Sequence, residues 1–339
     1  MPNMELPGDG KLLSTIIIGG VEYQVTAPFL DAVARGEVSG FKALSKFGKK
    51  EDIGTGGPET LWPRAAAPLT YGYLSSAEQL QVASGDVDDV GTLRTSGTAD
   101  GGSTTTLEDT AAGDFINDGV VAGDAVVNDS NDLHGIVLST TATIITLNTA
   151  MASANDSGDS YRVVGADDTG AGLISLLGLD ANYDEITEYV VLNGQTNVTT
   201  TASFLRVFRA SSIIAGSSAA AEGEITVNDN ADAVTLLIID AEIGQTQMAL
   251  WTVPAGKTFY MYNIWAWENN NKRARVLVFR RQLGQLFCQT GPSMSVIAAS
   301  QSQVLSSILV FPEKTDIELR VWADSINAHV GGGFEGIYG

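Results

Sequence analysis

The chain has 339 residues, 44% of them hydrophobic, with 19 Lys and Arg against 40 Asp and Glu and a net charge of -21. That length and apolar content describe a globular protein of two or three domains and exclude a disordered one. The charge disfavours long-range attraction to nucleic acid or an anionic membrane, and no run of about 20 apolar residues offers a membrane span.

Residues 1–10 lack the charged start and apolar core of a secretory leader, so no signal peptide is expected. The single cysteine, Cys288, excludes an internal disulfide framework, and its apolar surroundings predict a buried, inert thiol. Short Val/Ile/Leu/Thr runs recur between Gly, Ser, Thr, Asn and Asp. This strand–turn rhythm predicts an all-β chain.

Residues 1–80 read as an N-terminal arm, with small elements strung along an extended segment. Leu12–Ile18 and Val21–Val25 flank Gly19–Gly20 as a hairpin. Thr26 is placed to cap a short helix over Ala27–Arg35 that Gly36 stops. Ser39 is placed to cap a second over Gly40–Phe47, with Phe41, Leu44 and Phe47 on one face. The Gly- and Pro-rich stretch that follows carries Trp62. Phe47 and Trp62 are therefore the candidate apolar anchors by which the arm docks on a particle or a sister subunit.

Residues 81–90 and 168–242 predict a β-sandwich domain, interrupted by a self-contained stretch, 91–167. An acidic turn around Asp86, Asp88 and Asp89 precedes the interruption, and a similar one at Asp167–Asp168 follows it. Loop tips tolerate such insertions. Between Asp86 and Thr200 the only basic residues are Arg94 and Arg162. Inside the insert, candidate strands at Thr104–Leu107, Ala125–Asn128, Gly135–Ser139, Ile144–Leu147 and Tyr161–Val164 predict a small barrel or sandwich. The host resumes with Leu173–Leu177, Glu185–Leu192, Ser203–Phe208, Gly223–Val227 and Thr235–Ile239, with a tight turn at Asn193–Gly194.

Residues 243–339 predict a jelly-roll-like sandwich with runs at Thr258–Glu268, Arg273–Gln282, Val304–Phe311, Asp316–Ala323 and His329–Phe334. By simple alternation Phe259, Met261, Trp265 and Trp267 share one face of the first run, with Tyr260, Tyr262 and Ile264 on the other. Aromatics on both faces favour core or subunit interface over sugar stacking. Lys272, Arg273, Arg275, Arg280 and Arg281 form a basic cluster on an acidic chain. It reads either as a solvated edge strand or as an ion-pairing surface for an acidic neighbour. Trp265, Trp267 and these five cations are the candidate subunit interface.

No catalytic constellation stands out. His134 and His329 lie in different modules without zinc-ligand spacing, and no Walker loop, dinucleotide fingerprint or Gly-x-Ser-x-Gly elbow occurs. A glycosidase needs two carboxyl groups held across a cleft, and Asp184, Glu185 and Glu188 are adjacent only in sequence. Asn228–Asp232 begins like a calcium loop, but Ala233 and Ile239 stand where such a loop needs Gly and Glu. Irregular calcium binding at Asp86–Asp89, Asn128–Asp132 or Asn228–Asp232 stays open beside the simpler reading of turns.

Several stretches resemble structural proteins of tailed phages, marine and cyanobacterial ones especially. They are Gly178–Glu188, Val191–Gly194, Ser203–Ala210, Ala215–Ser218, Thr252–Lys257 and Phe311–Arg320, spanning about 170–320 of the sequence. The Gly-rich Gly54–Trp62 segment is similar to one that precedes them there. The resemblance implies a non-enzymatic virion component without a cofactor. It would be a symmetric oligomer, a trimer being favoured, acting as capsid-bound decoration, cement or head fibre. The expected partners are its own copies and other virion proteins such as the major capsid protein, with no nucleic acid and no membrane. A tail or baseplate protein with a receptor-binding module, touching a host-surface receptor, is the alternative. A polysaccharide-degrading tail enzyme is the third.

Overall fold

The computed structural model describes residues 14–18, 21–25, 27–63, 70–111, 114–166 and 169–339. Among them are 25 strands and one helix, so the chain is all-β. They group into two compact units: Met1–Tyr71, Asn182–Asp184 and Gln247–Gly339 form the first, Gly72–Ala181 and Glu185–Thr246 the second.

In the first unit, β1 (Ser14–Ile18) and β2 (Val21–Val25) pair antiparallel as the hairpin reading expects. Their Gly19–Gly20 turn, like the Thr26 cap, lies outside the described residues. Helix α1 (Ala27–Ala34) stops at Gly36, which takes a φ of 74° that favours glycine. The second expected helix is absent. Residues 42–53 instead form β3 (Lys42–Ile53), a 12-residue strand paired along the C-terminal segment from Tyr338 back to Ala328. Long-range pairing overrides local helix propensity here. Gly48 fixes the outcome, because a Cβ there would stand 2.3 Å from the Leu61 carbonyl oxygen and 2.6 Å from the Ala249 nitrogen.

The arm reading is corrected in the same way. The short strand β4 (Glu59–Thr60) pairs with residues 320–321, and the Leu61 N–H donates to the Leu319 carbonyl at 2.9 Å. Trp62 is 0% exposed and packs edge-on against Tyr71 at 5.4 Å. It is a core residue and cannot anchor the chain to anything outside.

The second unit opens with β5 (Gln81–Ser84). The inserted segment then supplies β6 (Gly91–Thr98), β7 (Gly101–Gly102), β8 (Thr106–Glu108), β9 (Ala125–Asn128), β10 (Leu133–Thr140), β11 (Ile144–Leu147) and β12 (Ser160–Ala166). These make one seven-stranded sheet, in the order β6-β12-β9-β10-β11-β8-β7, where five strands were expected. It curls on itself, since Leu107 of β8 and Tyr161 of β12 share one core with Phe115, Val126 and Val137. The Tyr161 hydroxyl donates to Asp109 at 2.7 Å across that core. The segment's ends meet, Gly91 lying opposite Ala166.

The remaining strands of this unit are β13 (Ala171–Leu179), β14 (Glu185–Val191), β15 (Val198–Thr199), β16 (Arg206–Ala215), β17 (Ile225–Asn228) and β18 (Thr235–Ile239). They form a three-stranded sheet, β14-β13-β16, and a four-stranded sheet, β15-β5-β17-β18. Asn193–Gly194 is a turn, with Gly194 at φ 57°, but it closes no hairpin: it hands the chain from β14 in one sheet to β15 in the other. The insert is not free-standing. Val126 and Val163 face its own core, while Ala125, Val127 and Val164 pack with Leu173, Tyr189 and Ile214 of the three-stranded sheet. That is why all four residues of β9 are buried.

The insertion point is held by Asp89, which is 0% exposed. Its carboxylate accepts the N–H groups of Ala171 (2.7 Å), Gly223 (2.9 Å) and Glu222 (3.0 Å), and a hydroxyl from Ser84. The acidic turn seen in the sequence is therefore a buried bracket that joins three chain segments.

The first unit is completed by β19 (Leu250–Thr252), β20 (Phe259–Glu268), β21 (Arg273–Gln282), β22 (Cys288–Ile297), β23 (Ser300–Phe311), β24 (Thr315–Ala323) and β25 (Ala328–Tyr338). One sheet runs β19-β24-β21-β22 with β4 added on β24; the other runs β23-β20-β25-β3. Trp251 of the first meets Phe259 and Tyr338 of the second at 5.1 and 5.0 Å, so the two sheets face each other as a sandwich. Cys288 is exposed on edge strand β22, contrary to the buried-thiol expectation. Among the described side chains of that strand, Met294 and Val296 are the buried ones.

Replacing Asp89 by Ala strands the buried N–H of Ala171 and the partly buried ones of Glu222 and Gly223, a buried loss costing about 1–3 kcal/mol. The variant should therefore be destabilised by roughly 3 kcal/mol or more, read from urea unfolding. Replacing residues 91–167 by a Gly/Ser linker should also lower the stability of what remains, because Leu173, Tyr189 and Ile214 lose their cover. An unchanged unfolding midpoint for the remaining part of that unit would contradict the shared core.

Candidate functional site

The outer face of the sheet β23-β20-β25-β3 gathers residues that the sequence reading assigned to two separate roles. A β-bulge between Met261 and Asn263 reverses the alternation of β20. Phe259 and Met261 point into the core as expected, but Ile264 and Ala266 follow them inward. Tyr260, Tyr262, Trp265 and Trp267 share the outer, half-buried side. The expected assignment of faces is thus wrong beyond residue 262, because one extra residue shifts the phase.

The pairing register lays this face out in rows. Ser302, Trp265, Gly333 and Phe47 lie abreast, and Ser300, Trp267, Gly331 and Lys49 form the next row. Val304, Asn263, Glu335 and Ser45 make the row on the other side. Phe47 is therefore not a helix residue on an arm but a half-buried member of the same face as the two tryptophans. The indoles occupy the space where β25 has no side chains. A Cβ on Gly331 would stand 2.2 Å from Trp267 ring atoms, and one on Gly333 would stand 2.7 Å from Trp265. Helix α1 lies at the far end, where Leu30, Val33, Val38 and Phe41 pack against Tyr260, Tyr262, Ile308 and Ile337.

The polar groups beside the indoles are ordered. The Asn263 amide donates to Glu335 Oε2 at 3.1 Å, and the Ser302 hydroxyl donates to Asn263 Oδ1 at 3.1 Å. His329 Nε2 lies 3.5 Å from the Asp52 carboxylate at the sheet's end. Sequence reasoning missed Asn263, Glu335, Gly331 and Gly333. The run Gly331–Gly332–Gly333 inside a strand was the available signal, since strand glycines mark close approach.

The basic cluster does not act as one surface. Arg281 makes two hydrogen bonds to the buried Asp316 carboxylate, the longer at 2.9 Å. Arg273 and Arg275 both reach Asp324, at 3.6 and 3.7 Å, and Arg275 also lies over the Trp322 ring at 4.6 Å. Arg273 is the most open of these three, with its side chain 58% exposed. Lys272 and Arg280 are half-buried. Nearby, buried Glu318 accepts from Thr60 and Arg320, and its carboxyl is pushed up, first by burial and against the pull of Arg320.

In the second unit a polar cleft of about 450 Å³ is lined by Asp129, Asp132, Arg162, Thr187, Glu188, Tyr189, Thr201 and Ala202. Arg162 binds Asp129 at 3.0 Å and the Tyr189 carbonyl at 2.7 Å. Glu188 is held by the N–H groups of Thr201 and Ala202 at 2.7 and 2.8 Å. Burial, then the Asp132 charge, pushes the Tyr189 hydroxyl up to about 12, and His134 Nδ1 lies 3.0 Å from its oxygen. Asp184 and Glu185 do not line the cleft, so the adjacent carboxylates Asp184, Glu185 and Glu188 are not brought together there. Among the described residues, no three His, Cys, Asp or Glu side chains converge to hold a metal ion. No protein-family model and no curated protein matches the chain.

Two outcomes follow. Gly333→Ala or Gly331→Ala would ordinarily stabilise a strand by about 0.5–1 kcal/mol. Here the added methyl meets an indole, so each should instead destabilise by roughly 1–3 kcal/mol, read from thermal or urea melting. Burial holds the His134 imidazole below its usual range. Its contribution is then fully present above the unfolded value of about 6.5 and is lost as pH falls through it. The drop in melting temperature between about pH 7.5 and pH 5.5 should be larger in the wild type than in His134→Gln. Equal drops would contradict this.

Proposed function

We propose that the chain is a non-enzymatic structural protein of a tailed-phage particle, an oligomer in which the first unit makes the contacts and the second stays in solvent. The observation that carries this reading is the division of charge. The first unit holds 15 Lys and Arg and 15 Asp and Glu, a net of zero; the second holds 4 and 25, so the whole net charge of -21 rests on it. A polyanionic unit repels its own copies and most biological surfaces. A neutral unit with a half-buried aromatic face and two long, largely exposed edge strands, β22 and β23, does not. The resemblance over residues 170–320 supports a virion component on the same side. Capsid-bound decoration or a head fibre fits a contact unit joined to a charged, solvated one. A tail or baseplate role is the second reading, favoured by the exposed side of the Trp265–Trp267 face.

Immunogold labelling of purified particles, with antibody raised to the full chain, tests the reading: regular labelling of heads supports it and labelling confined to tails favours the second. Absence of the chain from purified particles would overturn both. For assembly, Arg273, Arg275 and Arg280 are the arginines of the cluster not held by a buried carboxylate: Arg281 is engaged by buried Asp316, whereas Arg273 and Arg275 share only the exposed Asp324. Single exposed pairs contribute only about 0–1 kcal/mol. The triple reversal to Glu should therefore lower the oligomer mass in light scattering, most at low salt, while Arg273→Glu alone changes little. An unchanged mass at low salt would make these residues a solvated edge.

A further inference from the structure

We infer that the Trp265–Trp267 face is a saccharide platform that takes an uncharged, β-1,4-linked pyranose chain. The first reason is shape. Gly331 and Gly333 remove the side chains on which the indoles would otherwise ride, so both rings lie low on the sheet. A pyranose with equatorial substituents presents a flat array of C–H groups, which matches an aromatic surface with a negative face. The two indoles are two residues apart on one strand, about 7 Å, so a single chain laid along the strand can meet both rings.

The second reason is the polar row beside the rings. Asn263, Glu335 and Ser302 form a hydrogen-bonded ribbon of amide, carboxylate and hydroxyl. Each group keeps capacity beyond the bond it makes: an amide has two N–H donors, and a carboxylate about four acceptor sites. Such a ribbon suits ring hydroxyls, which both donate and accept. The third reason is charge. The rows carry one ammonium, Lys49, and one carboxylate, Glu335, while His329 and Asp52 face each other at the edge. A balanced face gives no electrostatic advantage to a charged occupant and suits an uncharged one. The inference does not depend on where in a particle the chain sits.

The experiment is a titration of the full chain with cellohexaose and with chitohexaose, followed by tryptophan emission. Trp62 and Trp251 are 0% and 1% exposed, so a change reports on Trp265, Trp267 and Trp322. The expected result is a saturable shift with at least one sugar, at a Kd on the order of 1 mM or tighter. Trp265→Ala and Trp267→Ala should each weaken it about tenfold or more. The double change to Tyr, which keeps ring faces, should retain binding and guards against a merely unfolded variant. Trp322→Ala should leave binding unchanged. No saturable shift with either sugar overturns the inference, as does equal weakening by Trp322→Ala. A fall in oligomer mass on Trp265→Ala, without sugar binding by the wild type, would give the face to a second copy instead.

Discussion

The first unit depends on one long-range constraint, the pairing of β3 with β25. These strands come from near opposite ends of the chain, so Ala43 must find Ile337 and Lys49 must find Gly331. Closing so long a loop costs entropy before any contact returns it, which makes such topologies slow to form. Once formed, the pairing fixes much else. It brings Phe47 and Lys49 beside the tryptophans, and it places Gly48 where Leu61 and Ala249 can cross it. The hydrogen bonds from Ala249 to Leu61, from Leu61 to Leu319 and from Leu319 to Ala249 then tie the segments around β4, β19 and β24 of the facing sheet together. Residues 72–181 and 185–246 form the other compact unit.

The second unit solves a different problem, that of accepting a long insert without a weak joint. Two devices share the task. A buried carboxylate, Asp89, satisfies the backbone donors of Ala171, Glu222 and Gly223, which lie 82, 133 and 134 residues further along the chain, an arrangement in which a charged acceptor is worth more than a neutral one. Strand β9 presents one face to each of two cores, so that insert and host bury surface jointly. Both devices sit within an otherwise acidic unit, whose carboxylates elsewhere serve turns. Asp229, for example, accepts from Ala233 and Val234.

The sequence was most legible where strands are short, apolar and bounded by turn residues. Ala125–Asn128, Ile144–Leu147, Thr235–Ile239 and Arg273–Gln282 are strands with those same ends. The strands that went unseen have little apolar periodicity: β6 reads Gly-Thr-Leu-Arg-Thr-Ser-Gly-Thr, and β22 is an edge strand that buries Met294 and Val296 while most of its other described side chains are exposed. β3 looked helical because Phe41, Leu44 and Phe47 fall at helical spacing, and only the distant partner β25 decides otherwise. The candidate face was half legible. Trp265 and Trp267 were singled out as candidate interface residues but placed on the face of Phe259 and Met261, whereas the bulge turns them to the opposite, half-buried side. Their companions Phe47, Asn263 and Glu335 depend on a bulge and on cross-sheet register, neither of which a single sequence reveals. Trp62 was misjudged for the same reason, since its Gly/Pro-rich neighbourhood hides that Tyr71 covers it.

The central claim is that residues 42–62 are structural strands of the first unit rather than a detachable arm, and that they help to build its aromatic face. The most direct measurement is hydrogen exchange across β20 and β25 in a chain that begins at residue 66, compared with the intact chain. The account predicts lost protection throughout β25, from Val330 to Tyr338, and exposure of Trp251, Trp265 and Trp267. Unchanged protection in both strands, with unaltered tryptophan emission, would contradict it.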